Sequence, residues 1–213
     1  MALGFRGNNH WRDMSEYLVH ITQRQSFFRI IEDGMLLAVR PFGAARNIKG
    51  LGDSQRSVCM SEIPLDYLYR LIGRRGEYGI GFKKHVVTRS GGAPVWYLRK
   101  EGAVANNFRK LVERATRERT AIDPNDPIWL ATPYVDYPGD YGDRRYEFEW
   151  EREWRVSGGV PLEVAPGLVS FLFAPEADHA RLAQSWADDG LPALIDAKWP
   201  MGKIQRVLAD SEL

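Results

Sequence analysis

Cysteine is nearly absent from this chain. Cys59 stands alone among 213 residues, which excludes an intramolecular disulfide and a cluster of thiolate metal ligands and fits a reducing compartment. Histidine is sparse as well. His10, His20, His85 and His179 lie far apart, without the short spacings that hold a structural zinc. No apolar run approaches the roughly 18 residues of a membrane span, and MALGFRGNNHWRDM lacks the apolar stretch of a signal peptide. These absences predict a soluble cytoplasmic protein without a membrane partner. An excess of one charge is missing too: the net charge is +1, so any imbalance is local.

What is present is core-forming material. With 44% hydrophobic and 12% aromatic residues, including seven Trp, nine Tyr and nine Phe, the chain can bury one sizeable core and reads as a single domain over 1–213. Local charge appears in RLIGRRGEYGIGFKK, with Arg70, Arg74, Arg75, Lys83 and Lys84, and in RKLVERATRER, with Arg109, Lys110, Arg114 and Arg117. Such patches suit an anionic partner such as DNA or RNA, or are solvated faces balanced by Glu77, Glu113 and Glu118.

Periodicity sets out the elements. YLVHIT from Tyr17 predicts a strand, and Phe27, Ile30 and Ile31 mark a helix stopped at Gly34. MLLAV predicts a second strand, and Pro41 to Ser57 a long aperiodic loop. A strand over Ser57 to Ile63 leads to a helix opened by Pro64, with Leu65, Leu68, Tyr69 and Ile72 on one stripe. EYGIGF and PVWYL predict strands, the first with glycines that permit close approach of a backbone or ligand. Val104, Phe108, Leu111, Val112 and Ala115 predict the buried side of an amphipathic helix, and the proline-rich segment from Ile122 to Arg145 a mostly irregular one. GLVSFLFAP, EADHARLAQSWADDG, PALIDAKW and IQRVLAD then predict strand, helix, strand, helix. Without a regular βαβ rhythm, the class is α+β.

YEFEWEREWRV, from Tyr146 to Val156, is the most distinctive stretch. Glu147, Glu149, Glu151 and Glu153 alternate with large side chains, which predicts one strand with carboxylates on one face and rings on the other. Like charges roughly 7 Å apart need water, cations or a polar ligand opposite them.

YLVHIT with its helix and glycine, the arginine-bearing loop, VCMSEIPL and the strand ending in EWRV together resemble an ADP-ribosyltransferase. The series VCMSEIPLDYL, EYGIGFKK, PVWYL and EREWRV is similar to the abortive-infection family AbiGi over most of the chain. The first and last motifs also resemble those of DarT-type ADP-ribosyltransferases, which modify DNA bases. The resemblance implies two small, mostly antiparallel sheets around a cleft with peripheral helices, NAD as cofactor, and phage defence as the setting.

It also implies roles. His20 would grip the nicotinamide half of NAD, with Thr22 two residues on; the alternative is a half-buried strand histidine. Arg56, with Arg46 as competitor in the same loop, would contact the cofactor and support catalysis, or be a solvated loop arginine. Ser61 and Glu62 would brace the catalytic glutamate, or cap the helix at Pro64. Glu153 would bind a ribose hydroxyl and stabilise the oxocarbenium-like transition state, with Glu151 on the same face to accept a proton. Four alternating glutamates leave that choice open. The antitoxin label of AbiGi implies protein binding instead, a transferase-like fold used to hold a toxin partner.

Overall fold

The computed structural model describes residues 15–62, 64–117, 121–147, 149–186 and 190–211. His10, Ile63, Glu118 and Phe148, and the side chains of Arg70 and Arg74, lie outside the described residues. The architecture is mixed α+β, in two compact units. One comprises residues 1–36, 60–89 and 163–213, the other residues 37–59 and 90–162. The strand Arg56–Ser61 carries the chain from the second into the first between Cys59 and Met60.

The first unit is built on a sheet whose centre is Tyr78–Lys83. That strand pairs antiparallel with Tyr17–Thr22, in the register Tyr17↔Lys83 to Thr22↔Tyr78, and on its other side with Val169–Phe173. Ala193–Ile195 adds to the latter in parallel. Five successive residues from Tyr78 are buried, so no face of the strand is polar. The approach foreseen at its glycines is made by aromatic rings: a Cβ on Gly81 would sit 2.3 Å from the Phe171 ring, and one on Gly79 2.3 Å from that of Phe173. Tyr17, Val19, Leu65, Leu68, Ile195, Ile204 and Leu208 complete this core.

Its helices follow their periodicity. Arg24–Asp33 buries Phe27 and Ile31, one turn apart, and ends at Gly34 with φ 64°, where a side chain would be strained. The helix Leu68–Arg75 opens with a 3-10 turn, Leu65–Tyr67, whose cap at Pro64 receives no side-chain hydrogen bond. MLLAV is strand only at Met35–Leu36; Leu37 and Val39 are exposed.

In the second unit the loop from Pro41 is pinned rather than loose. Ala44 N–H donates to Thr132 O at 3.0 Å, and Gly43, at φ 81°, lies so close that a Cβ there would meet that oxygen at 2.0 Å. Buried Gln55 donates to Trp129 O at 3.0 Å and accepts from Thr132 Oγ1 at 2.9 Å. Ala45, Leu51, Val112 and Trp129 form a small apolar cluster beside these bonds.

Three expectations are corrected here. PVWYL is not one strand, because Ala93–Pro94 pairs antiparallel with Trp154 and Arg155, then Trp96–Tyr97 turns to pair in parallel with Val135–Asp136. The helix Ala103–Arg117 buries Ala105 and Val112, but leaves Val104 and Leu111 exposed. The acidic stretch does not form one strand: Arg144–Tyr146 hairpins with Gly139–Tyr141, Glu149–Glu151 is a 3-10 turn, and the next strand is Glu153–Ser157. At the break, Arg152 has φ 46°, the only positive φ on a non-glycine among the described residues. The single carboxylate face therefore does not exist. Turning the backbone separates like charges, at a local cost of about 1–3 kcal/mol.

Candidate functional site

The second unit contains a buried guanidinium. Strand alternation places Glu153 and Arg155 on one face of Glu153–Ser157. The Arg155 side chain is 1% exposed and that of Glu153 15%. Arg155 donates from Nε to Glu153 Oε1 at 2.9 Å, from Nη2 to Glu153 Oε2 at 3.0 Å and Asp136 Oδ2 at 2.7 Å, and from Nη1 to Pro133 O at 2.5 Å. Its carbon centre lies 5.0 Å from the Phe42 ring centroid. The bidentate fork is the geometry that arginine, unlike lysine, supplies.

Further donors reach the two carboxylates. Tyr97 donates its hydroxyl to Glu153 Oε2 at 3.2 Å, and Tyr146 donates to Asp136 Oδ2 at 3.4 Å. Arg46 donates to Asp136 Oδ1 at 3.2 Å and reaches the surface, half-exposed. Two carboxylates thus face two guanidinium groups.

Burial works against the Arg155 charge, but Glu153 and Asp136 outweigh it and hold its pKa above the ordinary value. Burial, then Glu153, pushes the Tyr97 phenol up, and burial, then Asp136, does the same to Tyr146. The Cys59 thiol is raised by burial and next by Glu153. At neutral pH the phenols and the thiol are therefore neutral.

The residues singled out from sequence fall into both units. In the first, His20 pairs with Ile80 and Thr22 with Tyr78, both half-buried on the Tyr17–Thr22 strand. Ser61 is buried opposite Val19, and buried Glu62 accepts from Lys84 Nζ at 2.5 Å. In the second, Glu153 and Arg46 join the same network through Asp136 and Arg155, while Glu151 is buried in the 3-10 turn. Arg56 instead makes an exposed pair with Asp53 at 3.0 Å.

Asp136, Arg155, Tyr97 and Tyr146 were not foreseen. A signal for Arg155 existed: an arginine flanked directly by Trp154 and Val156 needs partners if the strand is buried.

This arrangement defines a class: an α+β protein with a closed ionic centre rather than an open acidic cleft within its second unit. Residues 43–166, more than half of the chain, match the family described as "Putative abortive phage resistance protein AbiGi, antitoxin". The chain belongs to the AbiGi family. The match spans the hydrogen-bonded partners of Arg155, and leaves out Phe42, His20 and Thr22. No curated protein and no solved structure matches the chain. No helix among the described residues is long and apolar enough to cross a membrane.

Proposed function

We propose that this protein is the antitoxin of an abortive phage resistance pair and acts by holding a toxin protein. One observation carries the reading: both oxygens of Glu153 are engaged by Arg155, and one also by Tyr97, inside the residues shared with the family. A carboxylate held this way supports a rigid surface.

In the competing reading the protein binds NAD and transfers ADP-ribose to a nucleic acid or a protein. A ribose hydroxyl would then have to reach a Glu153 side chain that is 15% exposed and already held by Arg155, and any displacement of Arg155 would leave a buried guanidinium with one fewer counter-charge, a costly step. Two measurements separate the readings. Co-expression with a toxin of the same abortive-infection system should restore growth and yield a complex, while calorimetry should detect no NAD binding and labelled NAD no transfer. Transfer of label that Glu153→Gln abolishes would overturn the antitoxin reading.

A further inference from the structure

The helix Ala103–Arg117 has an apolar stripe that its own core uses only in part: Phe108 and Ala115 pack against it, while Val104 and Leu111 stay exposed. Val104, Phe108, Leu111 and Ala115 recur at the spacing of one helical face, a quarter-turn from buried Ala105 and Val112. Val104 and Leu111 are each 55% exposed, and neighbouring Trp96 is 56% exposed. Half-buried Phe108 packs edge-on against Trp96, with centroids 6.4 Å apart and planes at 74°. That contact makes Trp96 a continuation of the helical stripe, and so joins three large apolar side chains in one patch.

Charge flanks the patch on one side. The helix carries Arg109, Lys110, Arg114 and Arg117 against a single acid, Glu113. Arg109 is turned away, its guanidinium 4.8 Å from the Tyr137 ring centroid and bonded to Asn106 and to the Lys100 carbonyl. Arg114 lies three residues beyond Leu111, with Lys110 and Arg117 further round the same side.

We infer that this face docks an acidic amphipathic helix of a partner protein, whose apolar anchors meet Trp96, Val104 and Leu111 and whose carboxylates meet Lys110, Arg114 and Arg117. The inference rests on the antitoxin reading and supplies its docking surface. An apolar centre with a cationic rim is the composition of a protein interface, where aromatic and arginine side chains contribute most. Phosphates would gain from the rim, yet gain nothing from Val104 and Leu111. The whole face falls within residues 43–166, the part shared with the antitoxin family.

The first test uses a labelled helical peptide with leucines on one face and glutamates on its flanks, a twin with lysine for glutamate, duplex DNA, and phosphatidylglycerol vesicles. Fluorescence anisotropy should show the acidic peptide bound and the twin unbound. Leu111→Asp should weaken the peptide about tenfold without altering the melting temperature, since the site is exposed; Val104→Asp serves if that variant misfolds. Lys110→Glu with Arg117→Glu should reverse the preference between the peptides. Equal binding of the twin, tighter binding of DNA or vesicles, or indifference to both aspartate variants overturns the proposal. So does a dimer in sedimentation that Leu111→Asp dissolves, which assigns the face to a second copy.

Co-expression distinguishes the levels. Rescue of growth by the wild type and not by Leu111→Asp supports the face. Rescue by both places docking elsewhere and leaves the antitoxin reading standing. Failure of the wild type to rescue removes that reading and, with it, this docking role.

Discussion

The two units hold themselves together by different chemistry. The first stacks Phe171 and Phe173 over Gly81 and Gly79 and surrounds them with Tyr17, Leu65, Leu68 and Ile204, so its core is apolar and graded: each lost methylene costs roughly in proportion to its volume. Among the described residues, the second shows small apolar clusters and places Arg155, Asp136 and Glu153 together in a buried network. An ionic centre is not graded, because removing one charge strands another. The lesson is that two units of similar size can differ in how they fail.

The sharpest break of this contrast is Arg155→Ala, which leaves Asp136 and Glu153 facing each other without their shared guanidinium. A loss of about 3–5 kcal/mol in urea denaturation is expected. If Arg155→Met combined with Asp136→Asn and Glu153→Gln recovers part of it, the penalty comes from stranded charge rather than lost volume. Additive losses would refute the networked centre.

Glu153→Gln alone should cost less, about 1–3 kcal/mol, since glutamine keeps one acceptor while Asp136 still pairs Arg155. The melting curve is the readout. An unchanged melting temperature would mean that the pair contributes nothing to the fold. In the apolar unit, Phe171→Leu should cost about 1–2 kcal/mol, the graded response to losing part of the ring. A loss as large as that of Arg155→Ala would erase the contrast.

The smallest effect concerns Asp178, which accepts from Arg24 at 2.8 Å and from Tyr78 at 2.6 Å. Those bonds, Arg24 first, lower its pKa from 3.8 to about 2. A lowered folded value means that its contribution is full above the unfolded value and fades as pH falls toward about 2. Comparing acid unfolding of the wild type and Asp178→Asn between those limits should show a slightly shallower slope in the variant, more so at low salt. Identical slopes would show that the exposed pair is electrostatically silent.

Local pattern located much of the first unit. YLVHIT, EYGIGF and GLVSFLFAP became strands because apolar, β-prone runs of that length are specified by burial, and Gly34 stopped its helix because it alone accepts the left-handed turn. The candidate site was less legible. Glu153 stood out as one of four alternating carboxylates, but alternation cannot report the positive φ at Arg152 that ends it. Asp136 lies in a proline-rich segment without periodicity, so nothing nearby in the chain marks it as the partner of Arg155.

The amphipathic pattern of Ala103–Arg117 predicted the helix but put Val104 and Leu111 on its buried side, where the structure leaves both exposed. Its rotation was decided by Leu98 and Val135 packing on Ala105, and by Trp129 near Val112. Composition and short-range periodicity therefore determined the α+β class, the stop at Gly34 and the buried strands of the first unit, since those depend on residues within a few positions of each other; the helix read to a stop at Gly190 ends at Ser185 instead. Which charges are buried, which glutamate they engage and which helix face is left to a partner depend on contacts between residues tens of positions apart. Those pairings carry no local signature, because the cost of stranding a buried charge exists only once distant segments have closed around it.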